Sequence, residues 1–303
     1  MQTTRCRNYP RIDSSILLFR LLTKSERPIE LLICWAFALV VIVTVACTRP
    51  TPHPRRALEA IKNDPLLAVS RTDSNRVTLI SLGREEREIE TIPLPCTGPF
   101  GLAFSPKRDW LYAACWSDSQ IALIDLQIDT EPRLFTGARL PAWMRLRDGS
   151  HEIWVSNEGA GKVSIYRSGE SEVLGEISTG AGPSDIVFTN KGSRAWVSNE
   201  TAGTVSLLDA EQRHKIRDIS VGRVPQGMAL TGHKDQLLVA NFGSNTVSVI
   251  DTVNAREVGR IAVCQGPIDV ATSFQHGLGQ DGPELGYVSC FTDGSVAILD
   301  INR

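Results

Sequence analysis

Four cysteines hold the clearest chemical potential of this 303-residue chain: Cys96 and Cys115 stand 19 residues apart, and Cys264 and Cys290 stand 26 apart. Thiols brought together either ligate a soft metal or oxidise to a disulfide. Zinc sites use cysteines a few residues apart, often completed by histidine, and neither feature is present. Two disulfides are therefore expected, with four buried free thiols as the alternative. Other reactive signals are sparse. His53, His151, His214, His233 and His276 are scattered, with no metal-ligand pair at short spacing. No G-x-S-x-G elbow, Walker loop or C-x-x-C-H haem site occurs. The insertion "HGLGQDGPE" at 276–284 holds His276, Asp281 and Glu284, but lacks the alternating acids of a calcium loop and reads as a flexible hairpin loop.

The elements that must position these groups come from a repeat. Pro99, Pro141, Pro183, Pro225 and Pro267 follow one another at intervals of 42 residues, and Pro54 begins a poorer copy upstream. Each copy holds three short runs rich in Val, Ile, Leu and aromatics, then a fourth such as "KIRDISVG" or "REVGRIAV", separated by Gly, Asp, Asn and Ser clusters. Four strands per unit at this period predict an all-β chain, a β-propeller of four-stranded blades over residues 54–303. About six repeats give six blades with an incomplete last one. A seven-bladed or truncated parent is the alternative.

The repeat also aligns the cysteines. Cys115 and Cys290 occupy the position held by Asn157, Asn199 and Asn241 in other copies. Cys96 and Cys264 occupy the position of Ala138, Gly180 and Gly222. Wherever one member of this position pair is Cys, the other is too, and the longer second spacing is accounted for by the 276–284 insertion. Each bridge would join the end of one blade's outer strand to the second strand of the next. A loop of this length contributes about 3 kcal/mol.

The segments "WVSN" (154–157 and 196–199), "LVAN" (238–241) and "YVSC" (287–290), each followed by a turn and "TVSVID"-like text, resemble the YVTN family of β-propeller repeats. The resemblance implies an extracytoplasmic or surface protein that binds partners. Related propellers include lactonase-like enzymes, so a hydrolase of a cyclic ester with a divalent cation in the central channel is the alternative reading. No lactonase motif is matched.

The first 47 residues read as an export signal or membrane anchor. Residues 31–46 are apolar and uncharged, behind a segment with six basic residues against three acidic ones. Sixteen residues of helix would span roughly 24 Å, short for a hydrocarbon core of about 30 Å. Thr44-Val45-Ala46-Cys47 resembles a bacterial lipoprotein signal, which makes Cys47 the expected lipidation site, although Thr44 departs from the usual Leu or Val. An uncleaved anchor and ordinary cleaved secretion remain alternatives, and all three place the propeller outside the cytoplasm, in the periplasm or at the cell surface. Residues 48–56 form a proline-rich tether. The chain has 32 Lys plus Arg against 34 Asp plus Glu, with no basic run, so no nucleic-acid footprint is present.

Within a blade, the loops leading into first strands and the turns after second strands should emerge on one face. That face would collect Phe100 and Trp143 from the lead-in loops, and Trp116, Glu158, Glu200, Phe242 and Phe291 from the turns. Aromatics with an acidic flank suit an envelope or surface protein partner. Turn aromatics that pack on a neighbouring blade are the alternative. Asp185 and Asp269 share one repeat position and are the candidates for a divalent cation, or else for capping backbone amides. No other cofactor is expected. Trp154 and Trp196 are expected in the core.

Overall fold

The computed structural model describes the strands Ile16–Leu22 and Pro28–Cys34, and residues 65–83, 87–127, 130–232, 235–273 and 284–301. The two N-terminal strands pair antiparallel as a hairpin. The expected export segment, residues 1–47, meets the described residues only at these two strands, 16–22 and 28–34, and Cys47 and the 48–56 tether lie outside them. No helix among the described residues is long and apolar enough to cross a membrane.

Six successive antiparallel sheets follow, each in simple sequence order, and the fold is an all-β propeller. The first described sheet has three strands, Leu66–Arg71, Arg76–Ser81 and Arg87–Pro93. The second has four: Pro99–Phe104, Trp110–Cys115, Gln120–Asp125 and the short Arg133–Phe135. The third, fourth and fifth are complete four-stranded blades beginning at Pro141, Pro183 and Pro225. The sixth has Pro267–Thr272, Leu285–Cys290 and Ser295–Asp300.

The repeat proline and the marker residue turn out to be cross-strand partners. Pro99 pairs with Cys115, Pro141 with Asn157, Pro183 with Asn199, Pro225 with Asn241 and Pro267 with Cys290. Proline is tolerated there because it opens a strand, where a missing N–H costs the ladder least. Just after each of these pairs the register slips, so residues such as Trp143, Asp185 and Gly227 fall in an irregularity that re-aims them.

Burial changes from the inner to the outer strands, and this explains the sequence pattern. Second strands such as Arg194–Asn199 are buried on both faces and read as continuous apolar runs. The outer strand Arg256–Ala262 instead alternates exposed and half-buried residues. Where the outer strands slip against the third strands, Ile216 and Val258 are left exposed.

The chain divides into two compact units. One comprises Asp13–Ala160 with Ser164–Glu176, and the other Gly161–Val163 with Ile177–Arg303. In the former, Val77, Leu79 and Ile92 pack with Leu102, Phe104 and Leu111, and Tyr112 and Ile121 pack with Met144, Ile153 and Tyr166. In the latter, Trp196 and Leu207 pack with Met228, Leu237 and Ile250, and Leu238 and Val247 pack with Val270, Val288 and Leu299. Each cluster joins two successive sheets, so the core is a set of layers between blades. A fully buried side chain of this size contributes about 1.5–3 kcal/mol. Trp154 and Trp196 are fully buried, as expected from their repeat position.

Candidate functional site

Both expected disulfides are present: Cys96 with Cys115 and Cys264 with Cys290, at Cα–Cα separations of 6.0 and 5.9 Å. Cys96 and Cys264 follow the outer strands that end at Pro93 and Ala262, and Cys115 and Cys290 end the second strands of the next blades. Two disulfides fit an extracytoplasmic location, where they persist.

Two of the three asparagines at the same marker position make a comparable link by hydrogen bonding, while Asn241 Oδ1 is buried with no hydrogen-bond partner. Asn199 Oδ1 accepts the Gly180 N–H at 3.2 Å, and Asn157 Oδ1 accepts the Arg139 N–H at 3.2 Å. Their amide groups donate onward to the hydroxyl seven residues later: Asn157 to Ser164, Asn199 to Ser206 and Asn241 to Ser248. In the two cysteine blades that hydroxyl position is Ala122 and Ala297. Where the asparagine is absent, so is the serine it would need, because a buried hydroxyl without a partner is costly.

Each disulfide supports a turn with the same text: Cys115-Trp116-Ser117-Asp118 and Cys290-Phe291-Thr292-Asp293. The Trp116 N–H donates to Gly98 O at 3.0 Å, and the Phe291 N–H to Gly266 O at 2.7 Å. Gly98 and Gly266 have φ of +65° and +63°, and a Cβ on either would collide with Ser117 Oγ or Thr292 Oγ1. The acids close the turns. Asp118 accepts from the Thr97 N–H and Oγ1 at 2.7 and 2.6 Å, and Asp293 accepts from the Gln265 N–H at 2.7 Å. These two acids were not singled out from sequence, although the repeated Cys-aromatic-hydroxyl-Asp text marks them. The hydrogen bonds from Thr97 hold the Asp118 carboxyl below its ordinary range. The sign follows: the folded form keeps this clip at neutral and mildly acidic pH and loses it only as pH falls through the depressed folded value. Amide exchange at Thr97 is expected to stay slow down to that point and to accelerate below it.

The aromatics on these turns are the exposed ones. Trp116 and Phe291 each keep 39% of their surface accessible. The Trp116 Nε1–H donates to Glu158 Oε2 at 2.8 Å, which joins two residues at equivalent turn positions in successive blades. Phe242 is half-buried and packs on Phe291 with ring centroids 6.3 Å apart. Glu200 is half-buried at the same turn position, its N–H donating to Gly182 O.

Two expectations for this face need correction. Trp143 is only 5% exposed, packed edge-on against Phe100 with Arg145 above its ring, so it is core and not surface. Phe100 is half-buried in the same cluster. The register slip after Pro141 turns Trp143 inward onto the preceding blade. Asp185 is 1% exposed, and its two oxygens accept the Ile186 N–H at 2.8 Å and the Met228 N–H at 3.0 Å. It is a staple between the first strands of two successive blades. Asp269 Oδ1 likewise accepts the Val270 N–H at 2.8 Å. These are amide-capping roles, and among the described residues no cluster of three or more His, Cys, Asp or Glu is placed to hold a metal ion. The 274–283 part of the insertion lies outside the described residues.

No protein-family model matches the chain, and no curated protein matches it by sequence. Solved structures do match in fold. A catalytically inactive virginiamycin B lyase from Staphylococcus aureus with quinupristin is 9% identical, with 98% of each chain covered and a TM-score of 0.69. A streptogramin B lyase is 12% identical, with 97% of this chain and 96% of that chain covered and a TM-score of 0.68. A 6-phosphogluconolactonase-like protein from Bacteroides uniformis is 15% identical, with 81% and 79% covered and a TM-score of 0.64. At these identities the likeness is one of fold, and propellers host many unrelated activities.

Proposed function

We propose that the protein is an extracytoplasmic β-propeller that binds a partner protein through the turns following its second strands, without catalysis of its own. One observation carries this reading: the two turns whose aromatics stand out into solvent are the two turns fixed at their base by a disulfide and closed by an aspartate. Exposed aromatics dominate binding energy at protein interfaces, and holding them rigid before contact lowers the entropy lost on association. A propeller of the YVTN type, tethered by a lipid on Cys47, would present these turns to other envelope or surface proteins. The lactonase-like alternative rests on fold likeness alone, and the carboxylates it would use are committed to backbone amides.

The test is photo-crosslinking in cells of the native chain, with a photoreactive phenylalanine at position 116, 291 or 253. Val253 is the control, 73% exposed on a turn between a third and an outer strand. Capture of an envelope protein from 116, from 291 or from each, and not from 253, is the expected result. Capture of nothing above background, or of the same proteins from all three positions, would remove the reading.

A further inference from the structure

We infer that the Trp116 turn is a cation-recognition point, built to take an arginine or lysine side chain of the partner protein. This assignment rests on the binding reading above and gives the partner its chemistry. The indole is exposed, yet its only hydrogen-bonding group is already committed, since Nε1–H donates to Glu158 Oε2 at 2.8 Å. What remains for a ligand is the π-face, which attracts cations through its quadrupole. A carboxylate accepting from the indole N–H places negative charge at the ring edge and adds to that attraction. Asp118, two residues along the same turn, adds a second carboxylate, held in place by its bonds from Thr97. The ring therefore carries one carboxylate at its edge, Glu158, and a second, Asp118, lies on the same turn.

The geometry is held in place before any ligand arrives. Cys115 is fixed to Cys96, the Trp116 N–H to Gly98 O, and Asp118 to Thr97, so the turn has little freedom left to lose. The equivalent turn in the other unit differs at the decisive point. The Phe291 ring carries no N–H to engage a carboxylate and packs instead on Phe242, so it offers apolar surface.

The test uses the full chain in detergent, with both disulfides intact, against an array of 12-residue peptides. Each peptide is presented in an arginine form and in a form with citrulline, the neutral isostere. Preferential binding of arginine forms is expected. Trp116→Ala should weaken it about tenfold or more, the loss typical of an interface anchor. Glu158→Gln, which keeps a hydrogen-bond acceptor but drops the charge, should weaken it about threefold and flatten its salt dependence. Trp116→Phe, retaining an aromatic face, guards against misfolding and should lose less than Trp116→Ala. Equal binding of arginine and citrulline forms, or binding indifferent to Trp116, would overturn this assignment while leaving the binding reading standing. No binding to either form, together with no crosslinked partner in cells, would remove both.

Discussion

Replacing Cys96 and Cys115 together by alanine is expected to lower the unfolding free energy by about 3 kcal/mol under non-reducing conditions, because the loop they close is then free in the unfolded chain. The informative comparison is with a triple variant, Cys96→Gly, Cys115→Asn and Ala122→Ser, which rebuilds the asparagine version of the same link. The serine accepts the new side-chain amide, as Ser206 does from Asn199 at 2.9 Å. Glycine is chosen at 96 to copy the fourth blade, where a Cβ on Gly180 would lie 2.8 Å from Asn199 Cγ; in the third blade, with Ala138 at this position, Asn157 accepts from the Arg139 N–H instead. Two regained hydrogen bonds should return roughly 2 kcal/mol relative to the double alanine variant. Urea midpoints of the three proteins measure this directly. If the triple variant is no more stable than the double alanine variant, the cysteines are not substitutes for the hydrogen-bonded pair, and the repeat logic linking them is wrong.

How far the fold could be read from sequence depended on what each position needs. The 42-residue spacing was legible because every first strand begins at a proline paired to the marker residue, and this constraint recurs in five copies. The disulfides were legible because cysteine appears at both members of one position pair, in place of asparagine at one and of alanine or glycine at the other. Trp143 was not. Residue type and a loop-side position put it on the surface, but a register slip after Pro141, invisible to periodicity, turned it into the core. Asp185 lies in the same kind of slip, and acidity alone could not separate a metal ligand from an amide acceptor. Asp118 and Asp293 escaped notice because their role is to close a turn, which shows only when the two cysteine blades are read side by side.

Asp185→Ala is expected to be as damaging as a core truncation, although it removes a carboxylate. The substitution leaves the Ile186 and Met228 N–H groups buried without their acceptor. Hydrogen bonds to a charged acceptor are worth about 1.5–3 kcal/mol each, and unmade buried donors add to the loss, so about 3–4 kcal/mol in total is expected. Asp185→Asn keeps one carbonyl oxygen and should lose about half as much. The two partners lie in different blades, 43 residues apart for Met228, so the damage should appear as faster amide exchange at Met228 as well as a lower urea midpoint. A metal-ligand role would give a different signature: divalent content of the purified protein would fall on substitution while exchange at Met228 stayed slow. Unchanged stability in Asp185→Ala would mean that the staple contributes nothing. Loss of stability with unchanged metal content would identify the carboxylate as the link that holds the first strands of the fourth and fifth blades together, at a repeat position where the neighbouring copies carry glycine or tryptophan.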